Sequence, residues 1–154
     1  MTEFVYGRDR EIVQFISQLA PTSNGDIGRC KSIGVVEGGR LIAGLLYFNY
    51  DTDAATIELG IASTTPRWLS RATYRRMYEY PFIECGCQMI KSYARADNER
   101  VLSQFARMNF NLTLVPRWFG RNDDGVLATL TDDQWLDCKI AKWIYRDVQK
   151  KEAA

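Results

Sequence analysis

The sequence predicts a mixed α/β fold, and three observations predict it. Three β-like runs follow one another between Ser32 and Ser63 with only turn residues between them, the pattern of an antiparallel meander. From Ala54 to Ala96 the order is strand, helix, strand, which implies a parallel pair joined by a crossover helix. Helical periodicity recurs at both ends of the chain, so helices are expected to pack on the sheet.

Taken in order, Ile12, Val13, Phe15, Ile16 and Leu19 have helical spacing, and Asp9 can cap that helix. Pro21 to Gly28 reads as a loop. Ser32–Val36 and Leu41–Tyr50 read as strands around Glu37-Gly38-Gly39-Arg40, which supplies the positive-φ residues of a tight hairpin. Asp51-Thr52-Asp53 makes a second turn, and Ala54–Ser63 a third strand with Thr56, Glu58 and Gly60 on one face. After Thr64-Thr65-Pro66 a helix is expected from Arg67 through Leu69, Ala72, Thr73, Met77 and Tyr80, ended or kinked at Pro81 and closed by Gly86. Gln88–Ala96 is strand-like. Asp97-Asn98 caps a helix from Glu99 to Met108, with Asn109 as its left-handed terminal residue. Phe110–Trp118 and Val126–Thr131 read as strands joined by Gly120–Gly125. Thr131 or Asp132 caps a last helix through Trp135, Leu136, Ile140, Trp143 and Ile144, and the tail from Gln149 is expected to fray. No repeats or linkers divide the chain, so residues 1–154 are expected to form one domain.

Composition excludes several classes of function. The 20 basic and 19 acidic residues leave a net charge of +1, without the cationic field that gathers nucleic acid or anionic lipid, so no DNA partner is expected. His is absent, which removes Ser-His and Cys-His nucleophile pairs and every His-containing metal site; acid–base work falls to carboxylates, Tyr, Cys, Lys, water or the backbone. Cys85 and Cys87 lack the spacing of a zinc knuckle, so no metal is expected, and Cys30, Cys85, Cys87 and Cys138 read as partly buried small hydrophobes. Glu3, Arg8, Asp9, Arg10 and Glu11 interrupt any signal-like apolar run, and no apolar run approaches the ~20 residues of a membrane span. Reduced thiols, no membrane partner and a cytoplasmic location are the expectation.

Two stretches carry chemistry. At the first, the strand Glu58-Leu59-Gly60-Ile61-Ala62-Ser63 leads through a turn into Arg67-Trp68-Leu69-Ser70-Arg71-Ala72. A helix start after a parallel strand offers unpaired backbone N–H groups to an anion, and Arg67 and Arg71 add charge, so the expected ligand is a phosphate or pyrophosphate; a bare helix start with two solvated arginines would look the same. The second stretch is Asn98, Val101, Phe105, Asn109 and Phe110.

Together these resemble the GNAT superfamily of N-acetyltransferases over roughly residues 30 to 131. The family's pyrophosphate loop reads Gln or Arg, x, x, Gly, x, Gly or Ala; here Arg67, Ser70 and Ala72 fill those places, with Ser for the first Gly. Its later segment reads Asn, then an aliphatic residue, Tyr, Gly and Phe at offsets that Asn98, Val101, Phe105, Asn109 and Phe110 keep without a gap. The wording around Pro66–Arg71 and Tyr80-Pro81-Phe82 is also similar to a GNAT-like group common in tailed-phage genomes. The resemblance implies a mostly antiparallel central sheet with a splayed parallel pair and helices on both faces. It implies acetyl-CoA as cofactor, held by the backbone of Ile61, Ala62 and Ser63, by Arg67, Trp68, Leu69, Ser70, Arg71 and Ala72 at the pyrophosphate, and by Asn98 and Phe105.

It further implies direct attack by an amine of a protein or small molecule on the thioester. A backbone N–H near Ile61 or Ala62 would polarise the acetyl carbonyl, and Glu58 would accept the amine proton, unless it is an exposed strand residue paired with a nearby Lys or Arg. Trp68 would stack on adenine or pack the helix start. Phe105 occupies the family's Tyr position and cannot protonate the leaving sulfur, for which Ser103, Tyr93 or water could substitute. The acceptor is expected at the first helix, its following loop and the Pro116–Gly125 loop. Phe105 and Ser70 also suit the competing reading, an inactive GNAT-fold structural or interaction protein, including a phage virion component; a second copy or a virion protein would be its partner, in the host cytoplasm or the virion.

Overall fold

The computed structural model describes residues 2–19 and 30–139, with the single positions 142, 146, 150, 152 and 153. The expected Pro21–Gly28 loop, and Ile140, Trp143, Ile144 and Gln149, lie outside the described residues. The chain is divided into two units, Met1–Tyr78 and Glu79–Ala154.

In the first unit, strands β1 (Thr2–Tyr6), β2 (Cys30–Glu37), β3 (Arg40–Asp51) and β4 (Thr56–Ser63) pair antiparallel in sequence order. Gly38 and Gly39, at φ +58° and +75°, make the two-residue turn between the paired Glu37 and Arg40. Asp51 makes the next turn: its Oδ1 accepts the N–H groups of Asp53 (3.0 Å) and Ala54 (2.9 Å), so β4 starts at Thr56 rather than Ala54. Helix α1 (Asp9–Leu19) lies on one face, where Gly34 and Gly44 are cross-strand partners. A Cβ on Gly44 would stand 2.9 Å from Ile12 Cγ2, so the missing side chains let Ile12 and Ile16 seat directly on the sheet. Both isoleucines are buried, each stabilising by about 1.5–3 kcal/mol. Asp9 also accepts a hydrogen bond from the Ser32 hydroxyl, tying α1 to β2. Helix α2 (Arg71–Tyr78) lies on the other face, where the Tyr47 hydroxyl donates to the Met77 carbonyl at 2.7 Å and the Arg76 guanidinium sits 5.5 Å over the Phe4 ring. Helices thus cover both faces, as expected. Strand β1 is not legible in the sequence, because five residues with no regular alternation give no periodic signal.

In the second unit, β5 (Met89–Arg95) and β6 (Asn111–Gly120) both pair antiparallel with β7 (Asp123–Thr131). The expected loop from Pro116 to Gly125 is instead a hairpin: Gly120 pairs with Asp123, leaving Arg121-Asn122 as the turn. Asp124 Oδ1 takes the Arg117 N–H at 2.9 Å, and Trp118 packs 2.8 Å from where a Gly125 Cβ would stand. Trp118, 39% exposed, stacks on Tyr93 at 5.2 Å. Trp135 is buried and stacks on Phe82 at 4.9 Å. Helix α3 (Glu99–Arg107) precedes β6. Helix α4 (Asp132–Asp137), fixed by a Thr131–Gln134 capping box, stops at Cys138, extended at ψ 150°, and the described positions Lys139, Lys142 and Arg146 beyond it are again helical. Of the polar tail, Lys150, Glu152 and Ala153 are helical where fraying is expected. Glu79–Glu84 forms a π-helical turn in which Pro81 is buried.

Candidate functional site

Strand β4 positions the first candidate group. Its register against β3 runs unbroken from Phe48↔Glu58 to Ala43↔Ser63. Glu58, Gly60 and Ala62 therefore point to the α1 face, beside Phe48, Leu46 and Gly44, and Ile61 and Ser63 to the α2 face. Ala62 is buried; Glu58, Ile61 and Ser63 are half-buried. Among the described residues Glu58, half-buried, has no ion-pair partner.

The turn after β4 differs from the single helix the periodicity predicts. Thr64 is anchored by its N–H and hydroxyl to the Ile42 carbonyl, at 2.9 and 3.3 Å. Thr65 caps a 3-10 turn, Pro66–Trp68, through the Arg67 N–H. Trp68 is completely buried, so its ring packs the turn rather than being presented for stacking. The chain then breaks: the Trp68 carbonyl accepts from the Ser70 N–H (3.0 Å) and the Thr73 hydroxyl (2.6 Å), and the Ser70 hydroxyl accepts the Thr73 N–H (3.2 Å). Ser70 is therefore the N-cap of α2, at negative φ, and the helix starts at Arg71. Sequence reasoning misses this cap and Thr73, although a Ser three residues before a side chain that can share its hydroxyl is a start signal.

The result is a helix start whose first turn is open to solvent. Arg71 and Ala72 are exposed at its first turn, and the Tyr74 N–H is taken by the Ser70 carbonyl at 3.0 Å. Arg67, 74% exposed, extends its guanidinium to Glu37 Oε1 at 3.5 Å, a surface ion pair worth little that an incoming phosphate can displace. A pyrophosphate fits this donor set: two exposed arginines and the Ala72 amide, with Ser70 already spent on the cap.

The remaining candidates belong to the second unit. Asn98 caps α3, its Oδ1 accepting the Val101 N–H at 3.3 Å. At the other end Asn109 stands at φ +70°, its N–H bonded to Ala106 O and the Phe110 N–H to Phe105 O, at 3.1 and 3.0 Å. This is a Schellman motif, completed by the Phe105 and Phe110 rings 5.1 Å apart. Phe105 is buried and carries no proton; Tyr93 lies stacked on Trp118, and Ser103 is exposed. Tyr80 is held protonated well above its ordinary range by burial and then by its hydrogen bond with Cys85. Burial, then the nearby Cys85, pushes Cys87 up to about 11, and burial, then Asp9, raises Cys30. None of the four cysteines is in a disulfide. Among the described residues no cluster could hold a metal, and no helix is long and apolar enough to cross a membrane.

No family model matches the sequence, and no curated protein matches it. Solved structures do. A variant of the spermidine/spermine N-acetyltransferase SpeG from Vibrio cholerae superimposes with a TM-score of 0.69 at 15% identity, over 89% of this chain and 98% of that one. A second acetyltransferase gives a TM-score of 0.71 at 12% identity over 95% and 93%. A dodecameric spermidine N-acetyltransferase from Vibrio cholerae gives 0.67 at 14% over 88% and 96%. The chain has the fold of the GNAT acetyltransferases: mixed α/β, with seven strands among the described residues paired mostly antiparallel.

Proposed function

We propose that the protein is an N-acetyltransferase that binds acetyl-CoA and transfers its acetyl group to an amine of a protein or small molecule. The observation that carries this reading is the α2 start, where Arg67, Arg71 and Ala72 stay exposed behind the Ser70 cap in a chain with an acetyltransferase fold. Arg67, Arg71 and the backbone from Leu69 to Ala72 would hold the pyrophosphate, with Trp68 packing the turn beneath it. Ile61, Ala62 and Ser63 would pair with the pantetheine arm, and an Ile61 or Ala62 N–H would steady the acetyl oxygen. Asn98 and Phe105 act through α3, which they cap and close. Acetyl-CoA supplies the thioester-activated acetyl group. Glu58 accepts the proton that the acceptor amine loses, and with Phe105 at the usual Tyr position water supplies the proton for the departing thiolate. Both units are taken as parts of one GNAT-type domain, acting in the cytoplasm, where free thiols persist.

Calorimetric titration with acetyl-CoA tests this. Micromolar binding that is lost in Arg67→Glu supports the cofactor site; no binding at millimolar ligand overturns the enzyme. Given binding, a thiol-release assay across an amine panel follows, and a rate unchanged by Glu58→Gln removes Glu58 as base. A second reading, an inactive descendant serving as an interaction or virion protein, is favoured by one observation, the buried proton-free Phe105. Acetyl-CoA binding without turnover of any amine would select it.

A further inference from the structure

Cys85, Gly86 and Cys87 close the π-helical turn Glu79–Glu84 ahead of β5, and the acetyl transfer proposed above uses neither thiol. The closure is anchored at both cysteines. The Cys85 N–H donates to the Tyr80 carbonyl and the Cys87 N–H to the Pro81 carbonyl, each at 2.9 Å. Gly86 between them stands at φ +66°, a left-handed bend that glycine adopts at no steric cost. Consecutive Cα atoms are about 3.8 Å apart, so across one intervening residue the span is only ~5–7 Å. Disulfides join Cα atoms roughly 4.4–6.8 Å apart, and a bend at the middle residue keeps the pair inside that range.

The two thiols differ in access. Cys87 is 2% exposed, and burial, then the nearby Cys85, pushes it up to about 11, so it is protonated at neutral pH. Cys85 is half-buried, and a hydrogen bond with the Tyr80 hydroxyl holds its side chain in place. Beside it Gly86 is exposed, with nothing within 4 Å of where a Cβ would stand. A thiol reagent arriving from solvent therefore meets Cys85 before Cys87.

We propose that Cys85 and Cys87 form a reversible dithiol–disulfide site, oxidised by low-molecular-weight disulfides. The Cys85 thiolate attacks one sulfur of the reagent RSSR; a mixed disulfide forms on Cys85 and one RS⁻ leaves. The Cys87 sulfur gives up its proton, attacks the Cys85 sulfur and expels the second RS⁻. Each RS⁻ takes up one of the two protons that the cysteines release. The protein loses two electrons, RSSR gains them, and two RSH are formed. The buried thiol is the resolving partner because its target is intramolecular, at an effective concentration no solution thiol matches. A ring closed over one residue is strained, and strained disulfides are the readily reduced ones. The site is thus a dithiol in a reducing compartment and a disulfide only under oxidising load.

The folded protein is incubated with excess oxidised glutathione, quenched with iodoacetamide in urea and cleaved with trypsin. Residues 77–91 form one tryptic peptide that contains both thiols and no other cysteine. That peptide is expected to be unalkylated and lighter by the two hydrogens lost, and to take two alkyl groups when dithiothreitol precedes the quench. Cys87→Ser is expected to stop at a glutathione adduct on Cys85, and Cys85→Ser to leave Cys87 unmodified, each with an unchanged circular dichroism spectrum. A wild-type peptide that carries two alkyl groups after oxidation, or a lasting glutathione adduct on Cys85, overturns the proposal. So does a glutathione adduct on Cys87 in folded Cys85→Ser. The wild-type result decides even where a variant does not fold.

Discussion

The two stretches that resemble one family do so for different physical reasons. Around α3 every matching residue is consumed by the helix itself. Asn98 caps the first turn, Asn109 takes the left-handed position, and Phe105 and Phe110 make the apolar contact that completes a Schellman motif. Any helix of this length needing both ends closed could select that spacing. Around α2 Ser70 is consumed as the cap, while Arg67 and Arg71 stay exposed with Ala72 at the first turn. A motif whose residues the local structure already accounts for says little about a ligand; one that leaves charged groups and amides facing outward says more. The α2 start, not the longer α3 match, is the better evidence for a cofactor.

The largest expected effect that tests this contrast is on stability. Phe105→Ala removes a buried ring from the α3 closure and should lower unfolding free energy by about 3–5 kcal/mol in urea titration. Next, Asn98→Ala should cost about 1 kcal/mol, recovered by Asn98→Asp, with acetyl-CoA affinity within a factor of two by calorimetry. A tenfold loss of affinity that Asn98→Asp fails to restore would break the comparison and give Asn98 a direct ligand contact. Smaller again, Glu37→Gln frees Arg67 from its exposed ion pair and should tighten acetyl-CoA binding by up to about fivefold at low salt, a gain that fades as salt rises. No change at low salt would mean that Arg67 does not meet the ligand.

Much of this arrangement is legible in the sequence because it is set by short-range chemistry. Gly38-Gly39 and Asn109 announce positive φ, and Asp51 announces its turn. The parts that are not legible depend on tertiary packing. The periodicity from Leu69 to Tyr80 looks continuous, but burial of Trp68 and capture of its carbonyl by Thr73 stop the 3-10 turn and restart the helix at Arg71. The Pro116–Gly125 stretch has loop composition, yet Arg117 at φ +61°, its N–H held by Asp124, lets the strand continue to Gly120. Glu58 is legible as a carboxylate on β4; its lack of an ionic partner among the described residues is visible only in the fold.

The smallest expected effect bears on the family's own residue. Ser70→Gly restores the glycine of the pyrophosphate loop and removes the hydroxyl that caps α2. Glycine is itself tolerated at an N-cap, so the cost should be only a few tenths of a kcal/mol in the denaturation midpoint. The Thr73 N–H, no longer bonded to Ser70, then joins Ala72 as a donor at the helix start. Affinity for acetyl-CoA should hold or rise by up to a few-fold, the worth of roughly one added hydrogen bond to a charged group less the cost of ordering a more flexible turn. If affinity instead falls along with stability, the hydroxyl is part of the anion site rather than a substitute for a missing glycine, and Ser70 would join Arg67 and Arg71 as a ligand-facing group.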